Sequence, residues 1–198
     1  MSEAQLKLDA KIQAMVSTSQ PHRTISRRLF LYDFPSVFVQ DSDRGFSILN
    51  TICEHFKVPF TSVKIVGSAQ TGYSYFSRSD FLPGQSDLDI AIINSALFQQ
   101  YSAEVYWFTH AYKDLSKFPR KDGISTANPF REYLSCGYFR PDYMPNFQLR
   151  ADWFQFFNRL SNHHAAVFKD INAGIYLSEV FFEMKQTSLI HENRKGGL

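Results

Sequence analysis

Cysteine is scarce in this 198-residue chain: Cys53 and Cys136 stand far apart, with no Cys-His cluster around them. Neither a disulfide scaffold nor a zinc site built on closely spaced ligands is therefore indicated. Long apolar runs are missing as well. No window approaches eighteen apolar residues, so no membrane span is expected. Residues 1–20 are polar and amphipathic, which is not the pattern of a secretory leader, and a reducing, cytoplasmic setting is the simplest expectation. Charge of one sign is not in excess: 21 Lys and Arg against 19 Asp and Glu leave +2, too mild for a protein that grips duplex nucleic acid by charge alone. No internal repeat or low-complexity segment stands out. Aromatic volume is plentiful, with 20 Phe and 10 Tyr, and the length suits one core plus a helical appendage.

The chemistry concentrates in Val66-Gly67-Ser68 and in Ser86-Asp87-Leu88-Asp89-Ile90, with Asp87 nineteen residues beyond Ser68. In a strand, residues i and i+2 share a face, so Asp87 and Asp89 project together while Leu88 and Ile90 turn to the core. Two carboxylates on one face repel each other unless a cation lies between them. Mg²⁺ (or Mn²⁺) suits that need, because it takes hard oxygen ligands and fills its remaining positions with water and substrate phosphates. Gly67, lacking a Cβ, lets the backbone approach a polyphosphate, and Ser68 offers it a hydroxyl. Ile90-Ala91-Ile92-Ile93 is too apolar for a solvated edge, which puts the strand inside a sheet with its acids at the mouth of a cleft. Gln70 and Ser86 are further candidates for phosphate or metal-bound water, with structural capping as the alternative.

These residues resemble the signature of the nucleotidyltransferase superfamily, the DNA polymerase beta-like fold, in which a Gly-Ser turn opens a helix and an Asp-x-Asp strand follows. The resemblance covers residues 60–95. It implies an α/β (α+β) fold, a small mixed sheet with flanking helices, with Gly67 and Ser68 on a nucleoside triphosphate and Asp87 and Asp89 on Mg²⁺ or Mn²⁺. It also implies a third carboxylate on a later strand. Asp142 is the first candidate, although Pro141 before it is atypical of the family. Glu183 fits the family's hydrophobic-acid-hydrophobic pattern better but falls in an expected helix, and Asp152 reads as a first-turn helix acid. The stretch from Ser68 to Asp87 is longer than the family's usual loop and helix. Residues 77–85, rich in Ser, Pro and Gly, read as the insertion that absorbs the excess.

The organisation expected around this motif has three parts: an N-terminal helix and extended arm (1–40), the nucleotidyltransferase-like core (41–148), and C-terminal helices packed on it (149–198). Helical periodicity runs over 3–16 and over 44–56, the latter with Asp43 or Ser42 placed to cap it and Pro59 to stop it. Arg23, Arg27 and Arg28 lead into an extended piece at 29–35 and read as a solvated turn rather than a phosphate contact. Strands are expected at 62–66 and 88–93, helix over 96–117, loop over 118–128, and extended chain around Asp142 between its two prolines. Helices over 151–169 and 173–190 form an aromatic C-terminal layer, and the tail 191–198 reads as frayed.

Several side chains carry weaker signals. Tyr73, Tyr75 and Phe76 suit base stacking, with core packing the commoner fate. Arg140 and Lys64 are triphosphate or acceptor contacts unless they are simply solvated. His163-His164 lacks metal-ligand spacing, and Cys53 shares a helix face with Leu49 and Phe56 as a small core residue.

Two functions remain open on this reading. One is a metal-dependent transferase moving a nucleoside monophosphate from a triphosphate onto a hydroxyl of RNA, protein, a small molecule or another nucleotide. Small stand-alone members of the superfamily resemble toxin or phage-defence components, which makes such a role a family-based expectation. The other is a degenerate module that senses a nucleotide or docks a protein partner through its aromatic C-terminal layer. A nuclease is less favoured, since no Asp/Glu-x-Lys motif accompanies the acids.

Overall fold

The computed structural model describes the backbone of residues 1–195 and the side chains of residues 1–187. Its elements follow in the order α1 (Glu3–Ser17), α2 (His22–Arg27), α3 (Ser42–Phe56), β1 (Val63–Val66), α4 (Gly67–Thr71), β2 (Tyr73–Ser74), β3 (Ser79–Asp80), β4 (Leu88–Ile93), α5 (Ser95–Phe108), β5 (Arg120–Lys121), β6 (Ile124–Ser125), α6 (Ala127–Ser135), β7 (Tyr138–Phe139), α7 (Gln148–His163), β8 (Ile171–Tyr176) and α8 (Glu179–Lys195). The fold is mixed α/β. Its centre is a four-stranded sheet in the order β1-β4-β8-β7, in which only the β4–β8 pair is parallel.

Side-chain alternation along β4 sorts the two faces of this sheet. Leu88, Ile90 and Ile92 enter the main core beneath α3, α5, α6 and α7, together with Ile48, Phe98, Phe130 and Phe157. Ala91 and Ile93 face the other way, toward Tyr176, Tyr138, Phe182 of α8 and Phe30 of the N-terminal arm. Burying an aliphatic or aromatic side chain of this size contributes about 1.5–3 kcal/mol, so the thick face holds the sheet and the thinner one is free to shape a cleft.

Several sequence expectations are corrected here. The predicted second C-terminal helix, 173–190, begins instead as strand β8, and α8 starts only at Glu179. Ile171 and Ile175 are buried in the main core and Tyr176 on the opposite face. A strand covered on both faces shows an apolar run without alternation, and that run passes easily for a helix stripe. The C-terminal third therefore supplies a central strand rather than only a helical layer. Helix α7 stops at His163, where Ser161 Oγ accepts the Ile171 amide at 2.8 Å and ties the helix to β8.

The arm is helical too. Pro21 stands at the N-cap of α2, and Arg28–Tyr32 continues it as a π-helical turn with Ile25 and Leu29 buried, so 29–35 is mostly not extended. Asp41, not Asp43 or Ser42, caps α3 by accepting the Arg44 amide. Helix α5 ends at Phe108, short of residue 117. The expected loop 118–128 contains the β5–β6 hairpin, turned by Asp122-Gly123 with both φ positive, the pairing that a type I′ turn requires. The tail expected to fray from 191 remains in α8 to Lys195, while the expectation for 196–198 lies outside the described residues, as does the side-chain role given to Leu189. No helix among the described residues is long and apolar enough to cross a membrane.

Candidate active site

Topology gathers Gly67, Ser68, Ser86, Asp87 and Asp89 of the predicted residues at one end of the sheet. Because β1 runs antiparallel to β4, the end of β1 meets the beginning of β4, and Val66 pairs with Asp89. Because β8 runs parallel to β4, it also begins here, with Leu88 opposite Ile171 and Asp89 opposite Asn172. The Leu88 amide donates to Asp170 O at 2.8 Å, which sets Asp170 beside Asp87. Thus Asp87-Leu88-Asp89 and Asp170-Ile171-Asn172 run side by side into a cleft of about 900 Å³, lined also by Gly67, Ser68, Ser86 and Arg140.

Gly67 is fixed by two demands at once. Its φ is +65°, a region that side chains avoid, and a Cβ there would lie 2.8 Å from Asp89 Oδ2. The chain therefore passes against the Asp89 carboxylate with no atom to spare, and Ser68 follows at the start of α4. Gly174 makes a similar allowance on β8, where a Cβ would lie 2.3 Å from the Tyr138 ring.

The acids are electrostatically unsettled. Solvent reaches Asp89 from the open side of the cleft, but the walls crowd it elsewhere. Desolvation, then the neighbouring Asp87 charge, push its pKa up to about 6, against an opposing pull from Arg140. Asp87 is raised as well, first by desolvation and then by Asp170, with Lys169 and the Asp170 backbone amide pulling it down. Asp87 Oδ1 is buried without a hydrogen-bond partner. A hidden acceptor left unpaired costs on the order of 1–3 kcal/mol, and a cation on that oxygen would relieve it.

Arg140 is held at the rim by a built frame. Its Nε and Nη2 donate to Asp142 at 3.0 and 2.6 Å, and its guanidinium lies 5.0 Å from the Tyr133 ring and 4.4 Å from the Tyr143 ring. Asp142 accordingly sits in a 3₁₀ turn, Pro141–Tyr143, paired with Arg140 rather than carried on a strand. It lines the cleft, though it does not stand with the Asp87 pair as the third carboxylate of a sheet.

Other expectations find different places. Gln70 is buried, and its Nε2 donates to Leu29 O at 2.8 Å and Asp33 O at 3.0 Å, so it caps the arm and does not face the cleft. Ser86 lines the cleft while its Oγ accepts the Leu82 amide at 3.0 Å. Glu183 is sealed from solvent and clasped by Arg23 and Arg27, which removes it as a catalytic acid and gives those half-exposed arginines a structural role. Asp152, on α7, accepts from Gln148 on the helix surface. Lys64 lies on β1 outside the cleft lining. Trp153, Phe156 and Phe157 are buried, so the aromatic layer is mostly core, as is Cys53.

The residue that sequence reasoning missed is Asp170, with Asn172 beyond it. Asp170-Ile171-Asn172-Ala173 repeats the acid-apolar-polar-apolar start of Asp87-Leu88-Asp89-Ile90; the helices expected over 151–169 and 173–190 left it in the gap between them. No trio of His, Cys, Asp or Glu among the described residues is close enough to hold a metal alone. A hard cation using one or two carboxylates plus substrate phosphates and water does not need one. Compared with protein-family models, curated proteins and solved structures, the chain matches none.

Proposed function

We propose that this chain is a divalent-metal-dependent nucleotidyltransferase, moving a nucleoside monophosphate from a triphosphate onto a hydroxyl. The observation that carries the reading is the Asp87–Asp89 pair. Two adjacent acids with raised pKa values, one with a buried, unpartnered oxygen, stand against a glycine whose missing Cβ makes the approach. Such a pair is unfavourable in isolation and becomes favourable around a cation.

Asp87 and Asp89 would hold Mg²⁺ or Mn²⁺, which supplies charge neutralisation for the triphosphate and for the oxygens that gain charge as the phosphoryl bond exchanges. The Gly67-Ser68 turn presents backbone and hydroxyl to the phosphates, and Arg140, stiffened by its tyrosines and Asp142, offers a fixed positive charge at the rim. Asp170 takes the place of the third carboxylate on the acceptor side, where it can receive the hydroxyl proton.

A second reading, a nucleotide-binding module without turnover, is favoured by one specific feature: an amide, Asn172, stands opposite Asp89 in register. Pyrophosphate release from each ribonucleoside triphosphate with Mg²⁺ or Mn²⁺ and total cell RNA separates the two. Release lost on Asp87→Asn supports the transferase. Triphosphate binding without release supports the module, and release that survives Asp87→Asn with Asp89→Asn overturns both assignments of the site.

A further inference from the structure

We propose that the β2–β3 hairpin is the acceptor wall of the cleft and that Phe76, at its tip, stacks on a base of a single-stranded nucleic acid. That the strand's terminal hydroxyl is directed at the carboxylates rests on the function proposed above; the stacking itself does not.

The hairpin runs from Tyr73 to Asp80, between the Gly67-Ser68 turn and Asp87, and includes the first part of the expected insertion 77–85. It is anchored rather than loose. Tyr73 is buried in a small core with Leu8, Ile12, Ile25 and Leu29, the Tyr75 hydroxyl bonds Asp9, and Ser2 bonds Asp80. Two of its three aromatics are thus consumed by folding. Phe76 is not: it is 89% exposed and lines the same cleft as Asp87 and Asp89. Leaving a full aromatic ring in water forgoes burial worth about 1.5–3 kcal/mol, and its rigid support supplies the platform on which a base can lie.

The surroundings favour a nucleic acid over a peptide. Serine hydroxyls flank Phe76 on the hairpin wall, and the cleft beyond is lined by Lys169, Lys185 and Arg140 together with Asp87, Asp89, Asp142 and Asp170, so in the absence of a cation the wall offers a base a stacking face rather than a net positive charge. An extended peptide would draw its affinity from main-chain pairing along a sheet edge or from an apolar groove for a helix face, whereas a lone exposed ring at a hairpin tip presents a flat face to stack on. The cleft volume of about 900 Å³ is near the top of the roughly 300–1,000 Å³ usual for small-ligand sites, leaving room for a triphosphate and a further nucleotide. With +2 overall, affinity must come from stacking more than from charge.

The test is fluorescence anisotropy with 5′-fluorescein dodecamers in EDTA, without triphosphate: single-stranded RNA, single-stranded DNA, an abasic strand and a duplex. Single strands are expected to bind with little base preference, and the abasic strand and the duplex more weakly. Phe76→Ala should weaken single-strand binding about 5- to 100-fold while Phe76→Trp restores it. With only one or two phosphates neutralised, log K should fall with log salt at a shallow slope of about −1. The RNA-to-DNA ratio identifies which acid is the natural occupant. Undiminished binding by Phe76→Ala, equal binding of the abasic strand, or no single-strand binding at all would each overturn the inference, even if pyrophosphate release holds. Phe76-dependent binding without pyrophosphate release would instead refute the transferase and leave the stacking wall standing.

Discussion

Two sites in this molecule face the same problem, a carboxylate crowded by protein, and meet it in opposite ways. Glu183 of α8 is 0% exposed and lies between Arg23 and Arg27 of α2. Burial pushes its pKa up, but hydrogen bonds from the two guanidinium groups outweigh this and hold it below the usual value. Asp89 of β4 has no such clasp; its immediate neighbour is another acid, and its pKa rises to about 6. The difference separates a structural carboxylate, neutralised by its own chain, from one left without a hydrogen-bonded counter-ion, the place where the proposed cation would bind. Arg140 leans toward Asp89 but spends its hydrogen bonds on Asp142.

The comparison can be broken or sharpened by substitution. Asp87→Asn should have the largest effect, lowering pyrophosphate release by roughly a thousandfold or more, about 4 kcal/mol of barrier, in steady-state assays. Folding, followed by circular dichroism, should persist, because removing a charge from an acidic pair does not open the core. Gly67→Ala comes next. The new Cβ must displace the Asp89 carboxylate and occupy positive φ, so both catalysis, by about 10- to 100-fold, and stability, by about 1–2 kcal/mol, should fall.

Glu183→Gln should behave in the reverse sense. Urea denaturation should show a loss of about 1–2 kcal/mol, moderated because both arginines are half exposed, with little change in turnover. A large catalytic loss with unchanged stability would erase the distinction between the two acids. The smallest effect concerns pH. The folded, metal-free protein retains the Asp89 proton up to about pH 6, whereas an unfolded aspartate releases it near 3.9. Stability from this group is therefore complete below about pH 4 and declines as pH rises through 6. Allowing for solvent in the cleft, the decline amounts to about 1 kcal/mol, measurable as melting temperature against pH, and Asp89→Asn should flatten it.

How much of this was legible in the chain depends on the range of the forces involved. Val63–Val66, the Gly67 turn and Leu88–Ile93 were readable because strand alternation and a missing Cβ are local properties. The Asp122-Gly123 turn was equally local and was passed over inside a longer loop. Asp170 and Asn172 were hidden for a different reason. Their place beside Asp87 and Asp89 is set by parallel pairing with a distant strand, and a strand buried on both faces lacks the alternation that would mark it. Gln70 illustrates the converse. Its position after Gly-Ser suggested phosphate, yet the orphan carbonyls of Leu29 and Asp33 claimed its amide, a tertiary demand that spacing cannot reveal.

The claim at the centre of this account is that Asp87 and Asp89 form a site that a divalent cation completes. Thermal unfolding at pH 7.5, with Mn²⁺ titrated in the presence of a non-hydrolysable triphosphate, tests it most directly in the wild type, Asp89→Asn and Glu183→Gln. The account predicts that the wild type and Glu183→Gln gain stability with Mn²⁺, whereas Asp89→Asn starts higher than the wild type and does not respond. An equal response in Asp89→Asn, or none in the wild type, would contradict it.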